Sequence, residues 1–229
     1  MLSSHHTAES SHELTPIEAR IIGVLIEKEK TTPDVYPLTL NSLSTGCNQK
    51  TAREPVVNLT DTEILSALEE LRHRLLIIES YGASGRVLRY AQNFGKVYSL
   101  PTASVVLLAT LILRGPQTVN ELRANSERLY RFDDSSSVEA YLEEMAARRS
   151  GSLCTKLPKQ PGSREHRWTH LLCGKASTSI ENDSLASDAS LVTIDALAER
   201  VRQLETEVAE LKQSLQALSG TSSSGFRRP

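Results

Sequence analysis

The chain alternates segments of helical apolar periodicity with paired strand-like runs, and it does so twice. Leu14-Thr15-Pro16 opens the first helix: Thr15 can cap it, Pro16 suits the first helical position, and Glu18 completes a capping box. Ile17, Ile21, Val24 and Leu25 follow at i, i+4, i+7 and i+8, one apolar stripe of a helix expected to end near Lys28. Thr32-Pro33-Asp34 breaks it, and a shorter helix is expected over Leu38 to Thr45, stopped by Gly46. A polar connector, Cys47 to Asn58, leads into Leu59-Thr60-Asp61-Thr62-Glu63, a second capping box with Leu59 and Ile64 placed as a hydrophobic staple. The helix it opens should bury Ile64, Ala67, Leu68 and Leu71. Leu75 to Tyr81 is strand-like, Gly82 to Gly85 is a turn, and Arg86 to Tyr90 is a returning strand.

The order helix, helix, helix, hairpin then recurs. Thr102 to Leu113 predicts a helix closed by Gly115-Pro116, and Val119 to Arg128 a short helix around Leu122. Asp134-Ser135-Ser136 supplies caps for a third helix that should bury Val138, Tyr141, Leu142 and Met145, each 74 residues after its counterpart in the first copy. Leu153 to Leu157 and His166 to Leu172 flank a Pro158…Pro161-Gly162 turn. A three-helix core with a hairpin behind its third helix is the winged helix-turn-helix arrangement. The expected fold is therefore mainly α with small β-hairpins (α+β): two tandem winged helix-turn-helix domains, residues 14–98 and 100–174. Val105 to Leu113 is apolar on nearly every side and must be covered all round, so it points to a domain–domain or subunit interface.

Residues 1–13 and 220–229 read as disordered tails, and 175–190, rich in Ser, Ala and Asp, as a flexible linker. Over 191–219 a heptad places Ile194, Val201, Val208 and Leu215 at a and Leu197, Leu204, Leu211 and Leu218 at d. β-branched a positions with Leu at d favour a parallel dimer, so a homodimer through a C-terminal coiled-coil helix is expected. Arg200 would then face Glu205 of the other chain, and Glu207 would face Lys212.

Composition narrows the function. Apolar residues make up 39% and aromatics 4%, enough for a lean aliphatic core. A net charge of -2 gives no overall attraction to nucleic acid. Residues 14–98 carry ten basic and ten acidic side chains, and 100–174 ten and eight. The three cysteines, Cys47, Cys154 and Cys173, show no CxxC spacing and read as free thiols of a reducing compartment. With no signal-peptide pattern and no apolar run approaching the ~20 residues of a membrane span, a cytoplasmic protein without membrane association is expected.

Thr31-Thr32-Pro33-Asp34-Val35-Tyr36-Pro37-Leu38 with Asn41, followed by Cys47-Asn48-Gln49-Lys50-Thr51-Ala52-Arg53-Glu54-Pro55-Val56, resembles the signature block of the YceH-like family of bacterial proteins. Leu157-Pro158-Lys159-Gln160-Pro161-Gly162 with Glu165, Arg167 and His170-Leu171-Leu172 resembles its second signature, with Trp168 where the family usually has Tyr. The resemblance covers about residues 14–218. It implies a tandem winged-helix fold and carries over no catalytic or ligand residues.

Candidate chemistry is correspondingly sparse. No Gly-rich phosphate loop, GxSxG or HExxH is present, and an enzyme is not expected. His166 and His170 share a strand face with Trp168 between them, and with Cys173 they lack an evident fourth ligand, so neither metal nor cofactor is expected. Cys47 near Lys50 reads as a buried thiol. The remaining reading is a binding protein, regulator-like on DNA or, alternatively, an adaptor within a protein complex, as in bacterial condensin accessory subunits. The nucleic-acid or partner-binding candidates are Asn48, Gln49, Lys50 and Arg53 of the connector, Arg86 and Arg89 of the first hairpin, and Lys156, Lys159, Arg164 and Arg167 of the second. Against DNA, both third helices begin and continue with carboxylates, which suit the helix dipole but repel phosphates.

Overall fold

The computed structural model describes residues 13–81 and 85–174. The tails, the linker, the heptads at 194–218 and the tip of the first hairpin lie outside these residues, apart from Glu13. The fold is α+β: helices with two small antiparallel sheets.

Helix α1 spans Pro16–Thr31 with the Thr15–Glu18 capping box formed. A 3-10 turn at Pro33–Val35 leads to strand β1, Leu38–Thr39, and helix α2, Leu40–Cys47. Helix α3, Asp61–His73, again starts from its expected capping box, at Thr60 and Glu63, and buries the four expected residues. Strands β2, Ile77–Tyr81, and β3, Leu88–Gln92, form the first hairpin, and β1 pairs on the far side of β3 with Leu38 opposite Tyr90. A short helix α4, Phe94–Val97, leads to α5, Thr102–Arg114. Helices α6, Val119–Ser126, and α7, Ser135–Ala146, precede the second hairpin, β4 at Cys154–Lys156 and β5 at Trp168–His170. Gln117 pairs with Trp168 through both backbone groups, occupying beside β5 the place that β1 occupies beside β3.

Four local expectations need correction. The second helix does not begin at Leu38: Leu38 and Thr39 are held in the sheet, and the Thr39 hydroxyl caps a helix that starts at Leu40. Gly46 does not stop that helix but lies inside it, because a Cβ there would come within 2.7 Å of Val24 Cγ1 on α1. Leu75 is not strand; it turns the chain out of α3 at a φ of 58°, so β2 begins at Ile77 and its partner shifts to Leu88–Gln92. Tyr141, expected in the core, is half-buried.

The described residues form one compact unit, and the expected boundary near residue 99 runs through a core that continues across it. All eleven residues from Ala103 to Leu113 are buried, so α5 is covered on every side. Its main partner is α1, which turns its second apolar face, Ala19, Ile22 and Ile26, inward as well. Gly23 permits the close crossing: a Cβ there would lie 3.0 Å from Ile112 and Leu113. Each fully buried aliphatic side chain contributes roughly 1.5–3 kcal/mol. The two ends meet where Leu14 N–H donates to the Leu172 carbonyl at 2.6 Å. No helix among the described residues is long and apolar enough to cross a membrane.

Candidate functional site

The connector between α2 and α3 carries the densest set of candidate polar residues, and the fold consumes most of them. Arg53 is buried; its guanidinium forks onto Glu27 of α1 at 2.6 and 3.1 Å and also donates to the Gly46 carbonyl at 3.3 Å. Asn48 receives the Leu59 N–H at 2.7 Å and donates to the Leu59 carbonyl at 2.8 Å, locking the end of the connector to α2. Gln49 donates to Thr51, and Lys50 alone points outward exposed. Arg20 of α1, which the sequence did not single out, is buried beside Arg53 and donates to the Pro55 carbonyl. Burial lowers its pKa, and the neighbouring Arg53 charge lowers it further. The side chains of Asn48, Arg53 and Arg20 are thus engaged in holding the connector in place.

The hairpin candidates divide in the same way. Arg89 donates to the Pro37 carbonyl at 2.8 Å, pinning the 3-10 turn to β3, whereas Arg86 is exposed. Arg167 bonds Glu121 at 2.9 Å and the Pro116 carbonyl at 2.6 Å. Glu121 also completes a capping box with Thr118, so one carboxylate starts α6 and holds the second hairpin. The Thr118-x-x-Glu121 spacing carried that signal in the sequence. Lys156 pairs with Glu139 at 3.0 Å and lies 5.3 Å from the Trp168 ring centre. Lys159 and Arg164 at the turn remain exposed.

The outward faces of the third helices are acidic. Asp61, Glu63, Glu69 and Glu70 are exposed on α3, and Glu143 and Glu144 on α7, with Asp133 and the cap Asp134 before it. The first hairpin and its helix instead present apolar side chains: Leu65 is 45% exposed, Ile78 47%, Tyr81 70% and Val87 47%. A cleft of about 260 Å³ lies between the second hairpin and the starts of α6 and α7. Across it Ser135 donates to Asn120 at 2.6 Å and Asn120 to Glu165 at 3.0 Å, while the indole N–H of Trp168 is buried without an acceptor.

Cys47 and Cys154 are buried, and Cys173 is half-buried with the carboxylates of Glu18 and Glu13 near it. Burial pushes Cys47 up to about 12 despite the Arg20 and Arg53 charges, and Cys154 to about 12. His166 Nδ1 is within 3.0 Å of the Leu157 carbonyl, while burial lowers His170 to about 4. Among the described residues no cluster of three His, Cys, Asp or Glu side chains is placed to hold a metal.

A second cavity, of about 380 Å³, opens at the seam of the two copies, where the ends of α3 and α7 meet α4. Arg74 and Arg148 line it with Tyr98 and the apolar side chains of Leu76, Val97 and Leu153.

Residues 14–163 match the sequence family described as "Protein of unknown function, DUF480". The chain is 50% identical over 214 residues to the UPF0502 protein of Leptothrix cholodnii, spanning 91% of this chain and 95% of that one. It is 51% identical over 209 residues to the UPF0502 protein of an Acidovorax species, at 90% and 92% coverage. It is 46% identical over 217 residues to the UPF0502 protein Bcenmc03_4618 of Burkholderia orbicola, at 93% and 91%. With the family match over residues 14–163 and relatives about half identical over some nine-tenths of the chain, this chain belongs to the DUF480 family of bacterial proteins.

Proposed function

We propose that the protein is a non-enzymatic cytoplasmic binding module of two tandem winged helix-turn-helix units, dimerised through the heptads at 191–219, and that its partner is a protein. The observation that carries this reading is the charge on the outward faces. A winged helix reads DNA with its third helix and touches phosphates with its wing. Here the third helices expose carboxylates, and the basic residues Arg53, Arg89, Lys156 and Arg167 are tied to the protein's own carbonyls and carboxylates. The first hairpin adds apolar side chains, suited to a protein surface. A DNA-bound regulator is the second reading, favoured by exposed Lys159 and Arg164 at the second hairpin tip.

Anisotropy of a labelled random duplex at about 50 mM salt, the regime that favours nonspecific DNA contacts, separates the two. We expect no saturable binding below about 10 μM. Native purification at physiological salt should instead yield a single stoichiometric protein that is lost when Leu65 or Tyr81 is replaced by Asp. Salt-dependent duplex binding that weakens on Lys159→Gln and Arg164→Gln would overturn the protein-partner reading in favour of DNA.

A further inference from the structure

The second hairpin carries its tryptophan toward the starts of two helices. Trp168 stands opposite Lys156 in the β4–β5 register, so both side chains leave the sheet on one face. On that face lies the cleft of about 260 Å³, bounded across from the hairpin by Asn120 at the start of α6 and Ser135 at the start of α7. Trp168 is only 3% exposed, and its indole N–H is buried with no acceptor in the protein. An indole can only donate, and a buried donor left unmet is costly, so the cleft calls for an acceptor.

The charges facing the cleft decide which kind of acceptor. Lys156, 5.3 Å from the indole centre, is already paired with Glu139 at 3.0 Å. His166 turns Nδ1 to the Leu157 carbonyl at 3.0 Å. Glu165 is left as the carboxylate without a cation. Its Oε1 accepts from Asn120 Nδ2 at 3.0 Å, and among the described residues nothing donates to its Oε2. The two helix starts add no call for an anion, because each has a carboxylate of its own: Glu121 completes the α6 capping box, and Asp134 accepts the Ser137 N–H of α7 at 2.7 Å. A simple cation has no lone pair for the indole, and an anion meets Glu165. A neutral group with an acceptor beside a donor answers both.

We propose that this cleft binds a small neutral carboxamide carried on a flat ring, its carbonyl oxygen accepting from Trp168 Nε1 and its amide N–H donating to Glu165. The carboxamide supplies the missing acceptor without bringing a charge into a site where the one cation is taken. A single-ring amide matches the volume, which is just below the range of drug-sized sites. Val119 and the indole supply the apolar surface for the ring. The site belongs to the second hairpin and is separate from the apolar residues of the first hairpin that are proposed to meet a protein partner.

Nicotinamide is the probe. Nicotinate replaces its amide by a carboxylate, and the methyl ketone of pyridine keeps the carbonyl but has no N–H to donate. The chain has one tryptophan, so the 15N-labelled full chain gives a single indole N–H resonance. Nicotinamide should move that resonance saturably, together with the amides of Asn120 and Ser135. Both analogues should bind at least about tenfold more weakly. Trp168→Phe, which removes the donor and keeps a ring, should lose binding by a similar factor, read at the Asn120 and Ser135 amides. Glu165 is exposed, so Glu165→Ala keeps the test open should Trp168→Phe not fold, and it should weaken binding in the same way. An indole resonance that nicotinamide leaves in place, nicotinate or the ketone binding as tightly as the amide, or undiminished binding by folded Glu165→Ala would overturn the proposal.

Discussion

At the scale of single residues, the protein spends its polar side chains on itself. Thr15, Thr60 and Thr118 each cap a helix and are answered by a glutamate three residues on, and two of these boxes were legible because the spacing alone defines them. The partners of Asn48, Arg53 and Arg89 were not legible. A polar residue in a loop can face water or a backbone group, and nothing in local spacing decides which. His170 is the clearest case of a titratable group committed to one state. Its ring is buried in the second hairpin and its Nδ1 has no acceptor or donor within reach. Burial holds its pKa at about 4, against 6.5 for an exposed imidazole. The unfolded chain therefore binds the proton first, and stability present above pH 6.5 is lost as pH falls toward 4. The loss is on the order of 3 kcal/mol. Urea unfolding at pH 7 and pH 4.5 should show this decline, and His170→Leu should flatten it; equal declines in both proteins would mean that His170 is not its source.

At the scale of elements, the connector 48–60 is a clamp. It has no helix or strand of its own, yet it is fixed at both ends: Asn48 ties it to α3's start at Leu59, and Arg53 ties its middle to Glu27 on α1 and to the end of α2. Its Glu54 N–H reaches the Leu113 carbonyl at 2.7 Å, joining it to the end of α5. The long family signature is thus a set of structural contacts around two buried guanidiniums. Arg53 has 0% of its side chain exposed and Glu27 17%, so removing the carboxylate charge strands a buried cation. Glu27→Gln should cost about 3–5 kcal/mol, the range for breaking a buried pair from one side. A loss below about 1 kcal/mol in denaturant titration, the range of an exposed pair, would show that Arg53 finds water instead. The elements that sequence reading misplaced are those too short or too dependent on a neighbour for periodicity to mark. β1 has two residues, and Gly46 looked like a helix stop when it is a contact point for Val24.

At the scale of the whole molecule, the two copies behave as one body in their packing. The sequence announced this at α5, whose apolar residues leave no solvent face, and more quietly at α1, where Ile22 and Ile26 fall off the stripe formed by Ile21, Val24 and Leu25. What it could not give was the pairing of these two helices with each other, because matching apolar faces carry no address. A shared core requires the copies to unfold together, and the chain offers a clean reporter: its one tryptophan, Trp168, sits in the second hairpin. Gly46→Val perturbs only the first copy, forcing α2 off α1 where a Cβ already meets Val24 at 2.7 Å. Overpacking of this kind costs about 1–3 kcal/mol, and a domain of this size loses roughly 2–4 °C of midpoint per kcal/mol. The Trp168 fluorescence transition should fall by the same amount as the far-UV circular dichroism transition, although the substitution lies in the other copy. A Trp168 midpoint that stays in place while circular dichroism resolves an earlier phase would make the copies independent. The outward faces of α3 and α7 would then hold no fixed spacing for a partner to read.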